Sequence, residues 1–225
     1  MTPLARDVPE SIATKQQTLE MFLREAIARG RLKPGTRLKQ QELARQFGVS
    51  PTPVRETLRR LQGDGLVLYI PNRGITVSRV EFPEVEEIYM MRIPLEGLAV
   101  QRAVARMSST DLDALNRLQQ RMDRVTAHGR LTMLRNLNYD FHMMLYSLAG
   151  YRRLLQFIQA LWGLFPWDTV QVIPGRAKIS MHEHHAILDA LRIGDGPEAA
   201  NRTRAHVSNS FSALRTYLAK KLRLR

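Results

Sequence analysis

Between Ser50 and Gln62, helical spacing sets Thr52, Arg55, Arg59 and Gln62 on one side and Val54, Leu58 and Leu61 on the other. A guanidinium on the polar side of such a rod can bond both acceptors on the edge of a guanine at once. Arg55 is placed for that contact. The hydroxyl of Thr52, at the start of the rod, can reach a phosphate or a base, and the amides beside it attract phosphate. Lys39, Arg59 and Arg73 suit phosphate contacts, which add salt-sensitive affinity without reading sequence. Gln41, opening the preceding helix, can meet backbone or base. The plain alternative is that Arg55 and Arg59 form a solvated helix face with Glu56. A second chemistry is suggested further along. Asn138 and His142 are one helical turn apart and share a face, and His184 and His206 belong to later helices. Taken singly, each of these histidines reads more readily as a hydrogen-bonded core residue than as a ligand.

The first group needs a helix-turn-helix to present it. Leu19, Phe22, Leu23, Ala26 and Ile27 recur at steps of three and four residues, which predicts a helix over about 14–28 that Gly30 stops. Pro34-Gly35 marks a turn. A second helix is expected over about 41–47, ended by Gly48 in the left-handed conformation. Ser50 then caps a third helix reaching about Gln62, with Pro51 at its first position. The apolar runs 66–70 and 74–78 flank Pro71-Asn72-Arg73 and predict a two-stranded hairpin with a basic tip. Three helices and a hairpin make a winged helix-turn-helix. The fold class is therefore mainly α, with this winged domain over residues 1–78, a hinge over 79–82 and an all-α bundle over 83–225. Breaks are expected near 108–109, 128–129, 150, 173–175 and 194–197.

Composition narrows the functional classes. The 225 residues carry 34 basic and 21 acidic side chains, a surplus of +13, which points to a polyanionic partner. The surplus is spread along the chain, +6 over residues 1–78 and +7 over the remainder, so arginine placement rather than net charge locates the contact surface. There is no cysteine, which excludes disulfides and thiolate metal sites. No signal peptide is expected over the first thirty residues, and the uncharged stretch Leu154–Trp167 is too short to span a bilayer. A cytoplasmic protein with no membrane partner is the expectation.

Residues 48–67, Gly-Val-Ser-Pro-Thr-Pro-Val-Arg-Glu-Thr-Leu-Arg-Arg-Leu followed by Asp64-Gly65-Leu66-Val67, resemble the GntR transcription regulators. Pro34-Gly35, Leu38 and Glu42-Leu43-Ala44 fit the same pattern. The second half resembles the FadR-type effector domain known as FCD, through Arg92-x-x-Leu95-Glu96-Gly97, Phe141-His142, Ala149-Gly150, Glu183-His184 and Arg204-Ala205-His206. The resemblance implies a homodimeric transcription regulator, a repressor, that binds a double-stranded DNA operator and responds to a small organic-acid effector. It implies that Asn138, His142, His184 and His206 hold a divalent metal ion. Three imidazoles and an oxygen suit zinc, nickel or a similar ion. In the family pattern the first of these ligands is commonly Asp, and an asparagine brings no charge. Arg92 matches an arginine aimed at the effector, where it would clamp a carboxylate; pairing with Glu96 one turn later is the alternative. Pro51 stands where many members carry arginine, so the family's operator sequence does not transfer. A metal-dependent enzyme acting on a small organic acid is the competing function. It leaves the winged helix unexplained, and Asp140 and Glu183, beside ligands in sequence, are expected to point away from the site.

Overall fold

The computed structural model describes residues 10–79, 82–164 and 169–223. They are mainly helical and fall into two compact units, one of residues up to 79 together with 162–164, the other of the remainder. Of the expected hinge, residues 80 and 81 lie outside the described residues.

In the first unit α1 spans Glu10–Ala28, α2 Gln40–Phe47 and α3 Pro51–Gly63. Leu19, Leu23, Ala26 and Ile27 of α1 are buried, as their spacing requires. They meet Leu43 and Ala44 of α2 and Val54, Leu58 and Leu61 of α3 in one core. Between α2 and α3 the chain reverses through Gly48 at φ 60°, ψ 43°, a left-handed position that a Cβ would penalise. Strands β1 (Val67–Ile70) and β2 (Gly74–Val77) pair antiparallel, with Val67 opposite Val77 and Ile70 opposite Gly74. Asn72 turns the tip at φ 63°, a conformation asparagine tolerates better than most residues.

The segment before α2 is more than a turn. Arg37 bridges Thr76, and the amide of Leu38 donates to the Ile75 carbonyl at 2.8 Å. This single bridge beside β2 points Leu38 into the core and leaves Arg37 and Lys39 outside.

The second unit comprises α4 (Phe82–Val104), α5 (Ser109–Ala127), α6 (Leu131–Ser147), α7 (Arg152–Leu164) except its last three residues, α8 (Thr169–Val172), α9 (Arg176–Arg192) and α10 (Gly196–Arg223). Its breaks fall where glycine, serine and proline interrupt the helical pattern. Ser108 and Asp111 form a reciprocal capping box at the start of α5. Asp195 accepts from the Glu198 amide at 2.9 Å at the start of α10. α10 packs on α4 and α9, α5 on α6 and α9, and α6 on α4. That arrangement brings the buried faces of α4, α5, α6, α9 and α10 around a shared interior.

Candidate functional site

The polar face of α3 is open. Val54, Thr57, Leu58 and Leu61 take its inner side, while Thr52, Arg55 and Arg59 are exposed. Glu56 lies between the two arginines, 3.7 Å from Arg55 Nε and 3.4 Å from Arg59 Nη1. Surface pairs of this kind are worth about 0–1 kcal/mol, so both guanidiniums can leave Glu56 at little cost. Ser50 occupies the N-cap in extended conformation but its hydroxyl makes no capping hydrogen bond, contrary to the expectation from sequence. The two prolines supply the reason. A capping oxygen takes the amide of the second or third helical residue, and the third is Pro53, which has none. Thr52 and Val54 carry the amide donors of this first turn.

Lys39 stands at the N-cap of α2 and reaches Glu42 at 2.7 Å. Gln41 is exposed beside it and Arg73 is exposed at the hairpin tip. A groove of about 520 Å³ joins these elements, lined among others by Arg37, Lys39, Gln41, Arg45 and Tyr69. Arg37, Arg45 and the exposed Tyr69 are absent from the sequence-derived set. Alternation around Leu38 and the four-residue step from Gln41 to Arg45 are the signals that place two of them outward.

In the second unit His142 on α6, His184 on α9 and His206 on α10 meet, all buried. Their ring centroids lie 4.9 Å apart for His142 and His184, 5.2 Å for His142 and His206 and 4.7 Å for His184 and His206. One nitrogen from each lies within 4.8 Å of the others. Asn138, one turn before His142 on α6, is also buried. Phe141 stacks on the His184 ring at 4.8 Å and supplies an apolar wall.

Each histidine is held through its Nδ1. His142 Nδ1 lies 3.0 Å from the Tyr146 hydroxyl, which gives its own proton to Glu96 and so accepts from the ring. His184 Nδ1 meets Gln119 Oε1 at 3.2 Å. The amide nitrogen of Gln119 donates to Asp123 at 2.8 Å, which fixes its oxygen towards the ring. His206 Nδ1 meets Glu183 Oε2 at 2.7 Å. An acceptor at every Nδ1 puts the proton there and presents Nε2 as a lone pair, the tautomer that metal ligation requires. Burial, followed by neighbouring positive groups, pushes His142 and His184 well below the ordinary histidine range. Both are therefore neutral near pH 7.

The residues fit a divalent metal. Asn138 Oδ1 and His184 Nε2 are buried without a hydrogen-bond partner, and a buried polar atom left in that state costs about 1–3 kcal/mol. A cation among three imidazole nitrogens and an amide oxygen would satisfy them. The donor set is borderline in softness, which suits zinc or nickel.

Glu183 does not point away from the site as its place in sequence suggests. It leaves α9 towards α10, where it takes His206, Arg176 and, at 2.8 Å, Asn209. Burial raises its pKa, but hydrogen bonds from His206 and Arg176 outweigh burial and hold the carboxyl down at about 2. Arg176 in turn reaches Ser210 at 2.7 Å. Gln119, Tyr146 and Arg176 are members of this network that the sequence does not single out, and Glu183 is one it places elsewhere. Arg92 donates to Glu96 at 2.7 Å and lies 4.7 Å over the Tyr89 ring, both groups buried. Burial alone would lower its pKa, but the Glu96 carboxylate outweighs it and holds the guanidinium charged. The pairing of Arg92 with Glu96 one turn later, one of its two sequence readings, is present. His182 and His185 are exposed, and His185 meets Asp123 at 3.1 Å.

Comparison with known proteins agrees with this fold. Residues 15–77 match the family described as bacterial regulatory proteins, gntR family, and residues 87–209 match the FCD domain. The uncharacterized HTH-type transcriptional regulator YdhC of Bacillus subtilis is 29% identical, over 87% of this chain and 89% of its own. The HTH-type transcriptional regulator McbR of Escherichia coli is 31% identical, over 79% of this chain and 82% of its own. The solved structure of E. coli McbR/YncC superposes with a TM-score of 0.79 at 27% identity, covering 90% of this chain and 98% of that one.

Proposed function

The chain belongs to the GntR family of bacterial regulatory proteins and carries an FCD domain, and from that premise we propose that it is a homodimeric repressor whose hold on an operator is set by a small carboxylate bound at a divalent metal. In this account residues 1–78 bind DNA, 79–82 act as the hinge and 83–225 bind the effector and dimerise.

The observation that carries the DNA half is the two-sided character of α3. Its apolar side is consumed by the core while Thr52, Arg55 and Arg59 are exposed, as a helix laid in the major groove requires. Arg55 reads a base edge. Lys39, Arg59 and Arg73 hold phosphates, with Gln41 beside them. The dimer draws on apolar side chains left exposed on α4, Met90 at 68% and Met91 at 46%. Patches of this kind favour a partner surface. A two-fold dimer reads a two-fold-related operator.

The effector half rests on the three histidines whose Nδ1 atoms are all engaged. The ion would be held by Asn138, His142, His184 and His206, and would give an anionic ligand a positive centre to bind. Arg92 is the side chain that would clamp the ligand's carboxylate, in competition with its pair to Glu96. For such a ligand to regulate, it must favour one dimer geometry over another.

The test is selection of bound duplexes from a fragmented genome, followed by fluorescence anisotropy on the recovered sequence. Specific binding that weakens when nickel(II) and a carboxylate are added together supports the proposal. Equal affinity for selected and random duplexes would refute it.

A further inference from the structure

Resting on the metal reading of the histidine cluster, we infer that the divalent ion and a small anion enter this site together, because the side chains that would hold the ion bring it no negative charge. Among the described residues, the cluster of His, Cys, Asp and Glu side chains able to share one ion consists of His142, His184 and His206 alone. Asn138 adds an amide oxygen, which is neutral. The set supplies lone pairs without charge.

The nearby carboxylates do not make up the difference. Glu96 accepts from Tyr146 and is matched by Arg92 at 2.7 Å. Glu183 touches the far nitrogen of His206 and is matched by the buried guanidinium of Arg176. Each carboxylate is thus balanced by one arginine before any ion arrives. A divalent ion in this interior adds two uncompensated positive charges where water is largely excluded, and such charge is strongly disfavoured unless it is paired. A carboxylate bound at the ion supplies the pairing. Linkage makes the effect reciprocal: whatever factor the anion contributes to metal affinity, the metal contributes to anion affinity. The site therefore responds to the conjunction of metal and organic acid, and to neither strongly alone. Asn138 is the residue that sets this requirement, since an aspartate at the same position would carry the missing charge itself.

The experiment uses the full-length protein stripped of metal with EDTA and then freed of chelator. Nickel(II) is titrated calorimetrically in sodium perchlorate and in sodium acetate of equal ionic strength. Acetate is expected to tighten nickel binding by about tenfold, within the ordinary range for coupled sites. N138D in perchlorate is expected to bind nickel as tightly as the wild type does in acetate, with acetate then changing its affinity by less than about twofold. Equal nickel affinity of the wild type in both salts overturns the coupling while leaving the metal site standing. No nickel binding by wild type or N138D in either salt overturns the metal site and the coupling with it. A thermal melt of N138D in EDTA reports whether the buried carboxylate is tolerated; if it is not, the two wild-type titrations decide alone.

Discussion

Glu183→Gln tests whether the network behind His206 is electrostatic. The carboxyl takes Arg176 and His206 and is largely shielded, with 13% of its side chain exposed, while Arg176 is 2% exposed. Its pKa is held at about 2 against an ordinary 4.5. A group whose folded pKa is lowered stabilises the protein above its unfolded value and loses that contribution as pH falls towards the folded one. The difference corresponds to about 3 kcal/mol at neutral pH, of which about 1 kcal/mol has gone by pH 3.5. Glutamine keeps the shape and an acceptor oxygen but removes the charge, leaving the Arg176 guanidinium buried without its counter-ion. Urea denaturation of metal-free wild type and variant, followed by circular dichroism, should give a gap of about 3 kcal/mol at pH 7. The gap should be constant from pH 8 to about 5 and then close as pH falls through the window from 4.5 to 2. A gap that is small at pH 7, or one that persists unchanged into acid, would refute the reasoning.

Glu96→Gln should behave as a second case, lowering stability in the same assay by about 3–5 kcal/mol because Arg92 then stays buried without its carboxylate. His184→Ala should abolish the rise in melting temperature that nickel(II) gives the wild type; a variant that still gains that rise would remove His184 from the ligand set. Lys39→Ala should weaken binding to every duplex and reduce the slope of log affinity against log salt by about 0.9, measured by anisotropy across a salt series; an unchanged slope would take Lys39 off the phosphate backbone.

The legible parts of the molecule are those governed by neighbours in sequence. The helix-turn-helix follows from Gly48, the prolines after it and the alternation of apolar and basic residues from Val54 to Leu61, all of which act within one or two turns. The histidines emerge from the four-residue step between Asn138 and His142 and from the family pattern. What holds them does not emerge. Glu183 reaches His206 across 23 residues, Gln119 reaches His184 across 65 and Arg176 reaches Ser210 across 34. Pairings of that separation are set by which helices pack together, and periodicity carries no record of them. The bridge at Arg37 is hidden for the same reason, since its partner Thr76 lies beyond two helices. Ser50 shows the reverse failure. A residue well suited to capping stands in the capping position, and the proline at the third helical position removes one of the two amides it could serve.

The central claim is that α3 reads bases through Arg55. Its most direct measurement is the ratio of affinities for the selected operator and for a random duplex of equal length, in wild type and Arg55→Ala, at one salt concentration. The account predicts that the variant loses about 1–3 kcal/mol of that discrimination while its affinity for the random duplex falls far less. An Arg55→Ala protein that separates the two duplexes as well as the wild type does would contradict it.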